Sequence, residues 1–149
     1  MGFEKGSSGS WYKNYRAVSM VVLNVDDDAE DREFFRDALR EIDSSITCLV
    51  AGNAMEALTL LKTRHPLPDF IFLDINMPMM DGKQCLKALK AMEQFQSIPV
   101  IMYSTSTDSR EISECYKLGA EDFLIKPHSF EKLVNDLSSI FAFSRRAPI

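Results

Sequence analysis

Four groups of polar residues each follow a short apolar run. Val21-Val22-Leu23-Asn24-Val25 leads into Asp26-Asp27-Asp28, and Phe70-Ile71-Phe72-Leu73 leads into Asp74. Ile98 to Tyr103 leads into Ser104-Thr105-Ser106, and Phe123-Leu124-Ile125 leads into Lys126. If these runs are strands of one parallel sheet, their carboxyl ends share the edge where open α/β sheets bind ligands. With the first and third strands adjacent, Asp26, Asp27 and Asp74 crowd together. Two like charges about 5 Å apart repel by roughly 3 kcal/mol at an effective dielectric of about 20. Such a cluster must be protonated, neutralised by a cation, or both. Lys126 supplies one positive charge. Oxygen-only ligands suit a hard divalent ion, and Mg²⁺ suits a site that keeps waters and meets a phosphoryl group. A carboxylate can attack phosphorus as a nucleophile. The transfer then depends on positioning and on neutralising the equatorial oxygens, which Mg²⁺, Lys126 and the Ser104 hydroxyl could share. Asp28 reads as a helix cap.

The elements that would position these groups follow from apolar periodicity. Several of the runs, joined by a weaker one over Ile46 to Ala51, are apolar at consecutive positions, as in parallel strands buried on both faces. Helical spacing separates them: Phe35, Leu39, Ile42; Ala54, Ala57, Leu58, Leu61; Cys85, Leu86, Leu89, Met92; and, most weakly, Ile112, Cys115, Tyr116. The last stripe, Phe130, Leu133, Val134, Leu137, Ile140 and Phe141, is the cleanest. Ser129 is placed to cap it, as Asp108 or Ser109 is for the fourth helix. Five strands alternating with five helices, joined by right-handed crossovers, predict a doubly wound α/β sandwich.

The 149 residues fit one domain, and 46% hydrophobic residues are enough for a core. A net charge of −5 argues against nucleic acid or an anionic membrane as partner. Cys48, Cys85 and Cys115 are odd in number and far apart, which predicts reduced thiols rather than a metal or redox pair. No stretch is long and apolar enough to span a bilayer, and no signal-peptide pattern opens the chain, so a cytoplasmic location is expected. Residues 1–19, with Gly6-Ser7-Ser8-Gly9-Ser10 followed by Trp11, Tyr12 and Tyr15, read as a flexible leader, native or appended, lying loosely on the domain. The domain is expected over 20–141, followed by a short tail, 142–149.

The motifs, taken in order, resemble the receiver domains of two-component response regulators. They are Val25-Asp26-Asp27, Asp74-Ile75-Asn76-Met77-Pro78, Met80-Asp81-Gly82, Pro99-Val100-Ile101 leading to Ser104, Gly119-Ala120 and Lys126-Pro127. The resemblance covers roughly Met20 to Phe141. It implies a flavodoxin-like (βα)5 fold with strand order 2-1-3-4-5. It implies Asp74 as phosphoacceptor, with Lys126 and Ser104 assisting. Asp26 and Asp27 would be the acidic pair, Asp27 the more direct metal ligand, and Asn76 would offer its backbone carbonyl to Mg²⁺. Ser104 and Phe123 would form the switch, Phe123 turning into a gap that Ser104 leaves. A cis Lys126-Pro127 bond is also implied. Thr105 stands where a small residue is common and His128 where an apolar one is, and the bland reading of His128 is an exposed, inert side chain.

The function expected is a stand-alone, non-enzymatic receiver, a monomer or weak dimer. It would be phosphorylated by a sensor histidine kinase or a histidine phosphotransfer protein and act on a downstream protein. The alternative is a receiver-like interaction module that works without phosphate. A phosphatase of the haloacid-dehalogenase type fits less well, because Asp26-Asp27-Asp28 lacks the expected following Thr or Val. A flavodoxin-like FMN site fails because the first loop is triply acidic where a phosphate would sit.

Overall fold

The computed structural model describes residues 19–143. Residues 1–18, with Trp11, Tyr12 and Tyr15, and residues 144–149 lie outside the described residues. The chain runs β1 (Val21–Val25), α1 (Ala29–Ile42), β2 (Thr47–Ala51), α2 (Ala54–Thr63), β3 (Phe70–Leu73), α3 (Gly82–Ala91), β4 (Val100–Ser104), α4 (Ser109–Lys117), β5 (Asp122–Ile125) and α5 (Phe130–Phe143). All four strand pairings are parallel, and the sheet order is β2-β1-β3-β4-β5.

Alternation along the strands sends side chains to opposite faces. Leu23, Val25, Ile71, Leu73, Val100 and Met102 pack with the apolar stripes of α2, α3 and α4. Val22, Phe70, Phe72, Ile101 and Tyr103 pack with Phe35 and Leu39 of α1 and Leu133 and Leu137 of α5. The three central strands are buried at every residue. The edge strand β5 is only partly covered, and its Ile125 is 44% exposed. Asn24 is an exception in the centre. It has the parity of Val22, is fully buried, and neither its amide nitrogen nor its oxygen has a partner among the described residues.

Side-chain caps fix where each helix starts beside the sheet edge. Asp28 accepts from the backbone N–H groups of Glu30 and Asp31, and Asp108 accepts from that of Arg110. Ser129 Oγ accepts from the Lys132 N–H at 3.1 Å. A capping box that the sequence reading did not use joins Asp81 and Gln84 at the start of α3. The cysteines are free. Cys85 and Cys115 are buried, Cys48 half-buried, and burial pushes the Cys85 thiol up to about 11.

Candidate functional site

The backbone ladder carries the acidic residues past the ends of their strands. Asp26 N–H donates to Ala51 O and Asp74 N–H to Val25 O, both at 3.0 Å, so both residues extend the parallel pairing by one step. Their carboxylates, with that of Asp27, each place an oxygen within 4.8 Å of the others. Asp26 and Asp74 are buried, while Asp27 is exposed and leaves one side open to solvent.

Each buried group has defined partners. Asp26 Oδ1 accepts from the Asp28 N–H at 2.9 Å, and its carbonyl accepts from Arg32 Nη1 at 2.7 Å. The Lys126 backbone N–H donates to Ser104 O at 2.8 Å, which ties the end of β5 to the end of β4. From there the Lys126 ammonium reaches Asp26 Oδ2 at 2.7 Å, Asp31 Oδ2 at 2.8 Å and Asp74 Oδ2 at 3.5 Å. It also lies 5.3 Å from the centroid of the buried Tyr103 ring. Ser104 is fully buried, and its Oγ accepts a long 3.4 Å bond from the Ser106 N–H.

The electrostatics follow from this packing. Burial raises the Asp74 carboxyl above its ordinary value; Lys126 pulls it down and Asp26 pushes it up further. Burial works against the charge of Lys126, but hydrogen bonds to Asp26 and Asp31 and the charge of Asp74 outweigh it. The ammonium is therefore held well above the usual lysine range. Three converging carboxylates against one ammonium leave the cluster net negative. The donor set is all oxygen and one flank is open, so the residues fit a hard divalent cation.

The loop after Asp74 is folded tightly beneath it. Met77 and Gly82 N–H groups both donate to Ile75 O, at 3.1 and 2.8 Å. A Cβ on Gly82 would lie 2.1 Å from Asp74 O. Only a residue without a side chain lets α3 start so close to that carbonyl.

The structure therefore gathers Asp26, Asp27, Asp74, Ser104 and Lys126 at one edge. Asn76 is on the same loop as Asp74, with an exposed side chain. Phe123 is half-buried against the α2–α3–α4 face, and the register sets it beside Met102, while Ile125 pairs with Ser104. His128 is exposed. One expectation is corrected: Lys126-Pro127 is trans, and the cis bond among the described residues is His65-Pro66. Lys126 reaches its three carboxylates with the ordinary isomer, which is favoured by about 0.5–1 kcal/mol before proline. Asp31 and Arg32 were not anticipated. Capping by Asp28 puts Asp31 in the first turn of α1, and that placement was the available signal.

A family model for the response regulator receiver domain matches residues 22–138. The chain belongs to this family. The two-component response regulator ORR5 of Oryza sativa subsp. japonica is 38% identical over 106 residues, which cover 71% of this chain and 77% of that protein. The sensor histidine kinase CheAY of Helicobacter pylori is 32% identical over 113 residues. That match covers 76% of this chain, which spans only 14% of the kinase's length. Among solved structures, the chemotaxis protein CheY4 of Vibrio cholerae superposes with a TM-score of 0.72 at 29% identity, covering 83% of this chain and 99% of that one. The receiver fold, with its 2-1-3-4-5 sheet, is thus established. No helix among the described residues is long and apolar enough to cross a membrane.

Proposed function

We propose that this receiver accepts a phosphoryl group on Asp74 in a Mg²⁺-dependent reaction and signals through protein contact. The observation that carries the reading is the meeting of Asp26, Asp27 and Asp74 with the Lys126 ammonium at the carboxyl edge of the sheet. The donor is a phosphohistidine of a sensor histidine kinase or a histidine phosphotransfer protein. A carboxylate oxygen of Asp74 forms a bond to phosphorus as the N–P bond breaks, and the leaving imidazole takes up a proton. Asp26, Asp27, Asp74 and the Asn76 carbonyl would hold Mg²⁺, whose contribution is to neutralise charge on the phosphoryl oxygens.

The chain's own groups do the rest. The Asp74 N–H to Val25 O bond fixes the backbone of the nucleophile on the sheet edge. Lys126 offers an ammonium to one equatorial oxygen and the Ser104 hydroxyl donates to another. Movement of Ser104 toward the phosphoryl group would then leave a gap for Phe123, biasing a two-state equilibrium on the face of α4, β5 and α5. The domain assigned to this role is 20–141. It is a signalling module without turnover chemistry, placed in the cytoplasm as a monomer or weak dimer, and its downstream partner is a protein.

The test is intact mass after incubation with Mg²⁺ and acetyl phosphate. One phosphoryl group is expected in the parent, none in Asp74→Asn, and none once a chelator is present. No adduct in the parent at saturating Mg²⁺ would refute the reading.

A further inference from the structure

An ammonium has three N–H donors. In Lys126 all three face carboxylates: Asp26 at 2.7 Å, Asp31 at 2.8 Å and Asp74 at 3.5 Å. The residue proposed to receive the phosphoryl group has the longest of the three contacts. A phosphoryl group on Asp74 brings new, more highly charged oxygens that need a donor, so one existing contact must yield.

The two short contacts differ in how easily they yield. The Asp26 side chain is fully buried, and removing its partner would leave an uncompensated charge inside the protein. Asp26 also accepts from the Asp28 N–H, which fixes its carboxylate in place. The Asp31 side chain is 42% exposed and sits in the first turn of α1. Water can replace its ion pair at small cost, and the helix N-terminus favours a carboxylate there whether or not it is paired.

We propose that Asp31 is a positioning residue, an exchangeable counter-ion that holds Lys126 off Asp74 in the resting chain and surrenders it to the phosphoryl group. The inference rests on Asp74 being the phosphoacceptor. Two consequences follow. Asp31 competes with the incoming phosphodonor for the same ammonium, so it weakens the apparent affinity for the donor. Filling the site also frees the Asp31 side chain, so occupancy is transmitted to the first turn of α1.

The experiment measures phosphorylation rate against acetyl phosphate concentration at saturating Mg²⁺ in four proteins: parent, Asp31→Asn, Asp31→Glu and Glu30→Gln. Asp31→Asn keeps the shape and removes the competing charge. Its half-saturating donor concentration should fall about two- to fivefold, the range expected for losing one partly exposed ion pair. The gap should narrow at high salt. Asp31→Glu should return toward the parent. Glu30→Gln removes the same charge from the same exposed helical turn, where the Glu30 carboxylate makes no ion pair with Lys126, and should leave the donor dependence unchanged. The ¹⁵N signal of the Lys126 ammonium supplies a second readout. In resting Asp31→Asn it should move toward its position in the phosphorylated parent. A parent that is phosphorylated while Asp31→Asn shows neither change would overturn the inference alone. Equal effects in Glu30→Gln and Asp31→Asn would overturn it too, by reducing the effect to bulk charge. A parent that takes up no phosphoryl group would overturn the phosphoacceptor reading, and this inference with it.

Discussion

Replacing Gly82 by alanine should damage both stability and phosphoryl acceptance. The added Cβ would lie 2.1 Å from Asp74 O, 2.8 Å from Asp74 C and 2.7 Å from Ile75 Cα. All three are backbone atoms, so no side-chain rotation relieves the overlap. Ordinary contact requires the loop or the start of α3 to move by about 1 Å, and overpacking of this kind costs about 1–3 kcal/mol. Alanine ordinarily returns about 0.4–1 kcal/mol by restricting the unfolded chain, which offsets only part of that. The displaced residue is Asp74 itself, and a shift of about 1 Å in a reacting group can cost on the order of 100-fold in rate. Gly52 is the internal control, since a Cβ there would meet nothing closer than 3.7 Å. Urea unfolding and the rate of acyl phosphate formation, measured on Gly82→Ala, Gly52→Ala and the parent, decide the matter. The expected result is a stability loss and a rate loss in Gly82→Ala alone. A Gly82→Ala protein matching Gly52→Ala in both would show that the close approach beneath Asp74 does not constrain the site.

Asp74→Asn should melt at higher temperature than the parent at pH 7 without Mg²⁺. The raised Asp74 carboxyl favours folding while protonated, below the ordinary value of 3.8, and that contribution is lost as pH rises through the raised folded value. The difference should therefore close as pH falls toward 4, which thermal melts across pH will reveal. Asn24→Leu should stabilise the fold by about 1–3 kcal/mol, because it replaces a buried amide with no hydrogen-bond partner among the described residues by a near-isostere; calorimetry checks the sign. Lys83 bridges from α3 to Glu111 at 3.4 Å and Glu114 at 2.9 Å on α4. Cys115 is the buried residue of α4, so Lys83→Met should speed amide exchange across Ser109–Lys117 while lowering global stability by less than about 1 kcal/mol.

The fold was legible wherever local pattern and tertiary environment agree. The runs ending at Val25, Leu73 and Tyr103 are buried on both faces, and continuous apolar sequence is what that environment selects. β5 carries the same kind of run on a half-open edge, so composition overstated its burial. Polar residues immediately after the strands marked the site, because the parallel sheet delivers them all to one edge. Asp31 escaped notice because its partner, Lys126, lies 95 residues away, and helical charge in a first turn ordinarily faces water. Asn24 escaped for the opposite reason: nothing local distinguishes a tolerated buried amide from an apolar strand residue. The trans Lys126-Pro127 bond shows the limit of carrying a feature over by resemblance, since the lysine reaches its partners without the rarer isomer.

The central claim is that Asp74 is the residue that carries the phosphoryl group. Borohydride reduction of the Mg²⁺- and acetyl phosphate-treated protein converts an aspartyl phosphate to homoserine, and peptide mass spectrometry then locates the change. The account predicts homoserine at position 74 in the parent and at no other aspartate. Homoserine at Asp26 or Asp27, or unchanged Asp74 in protein that has gained a phosphoryl mass, would contradict it.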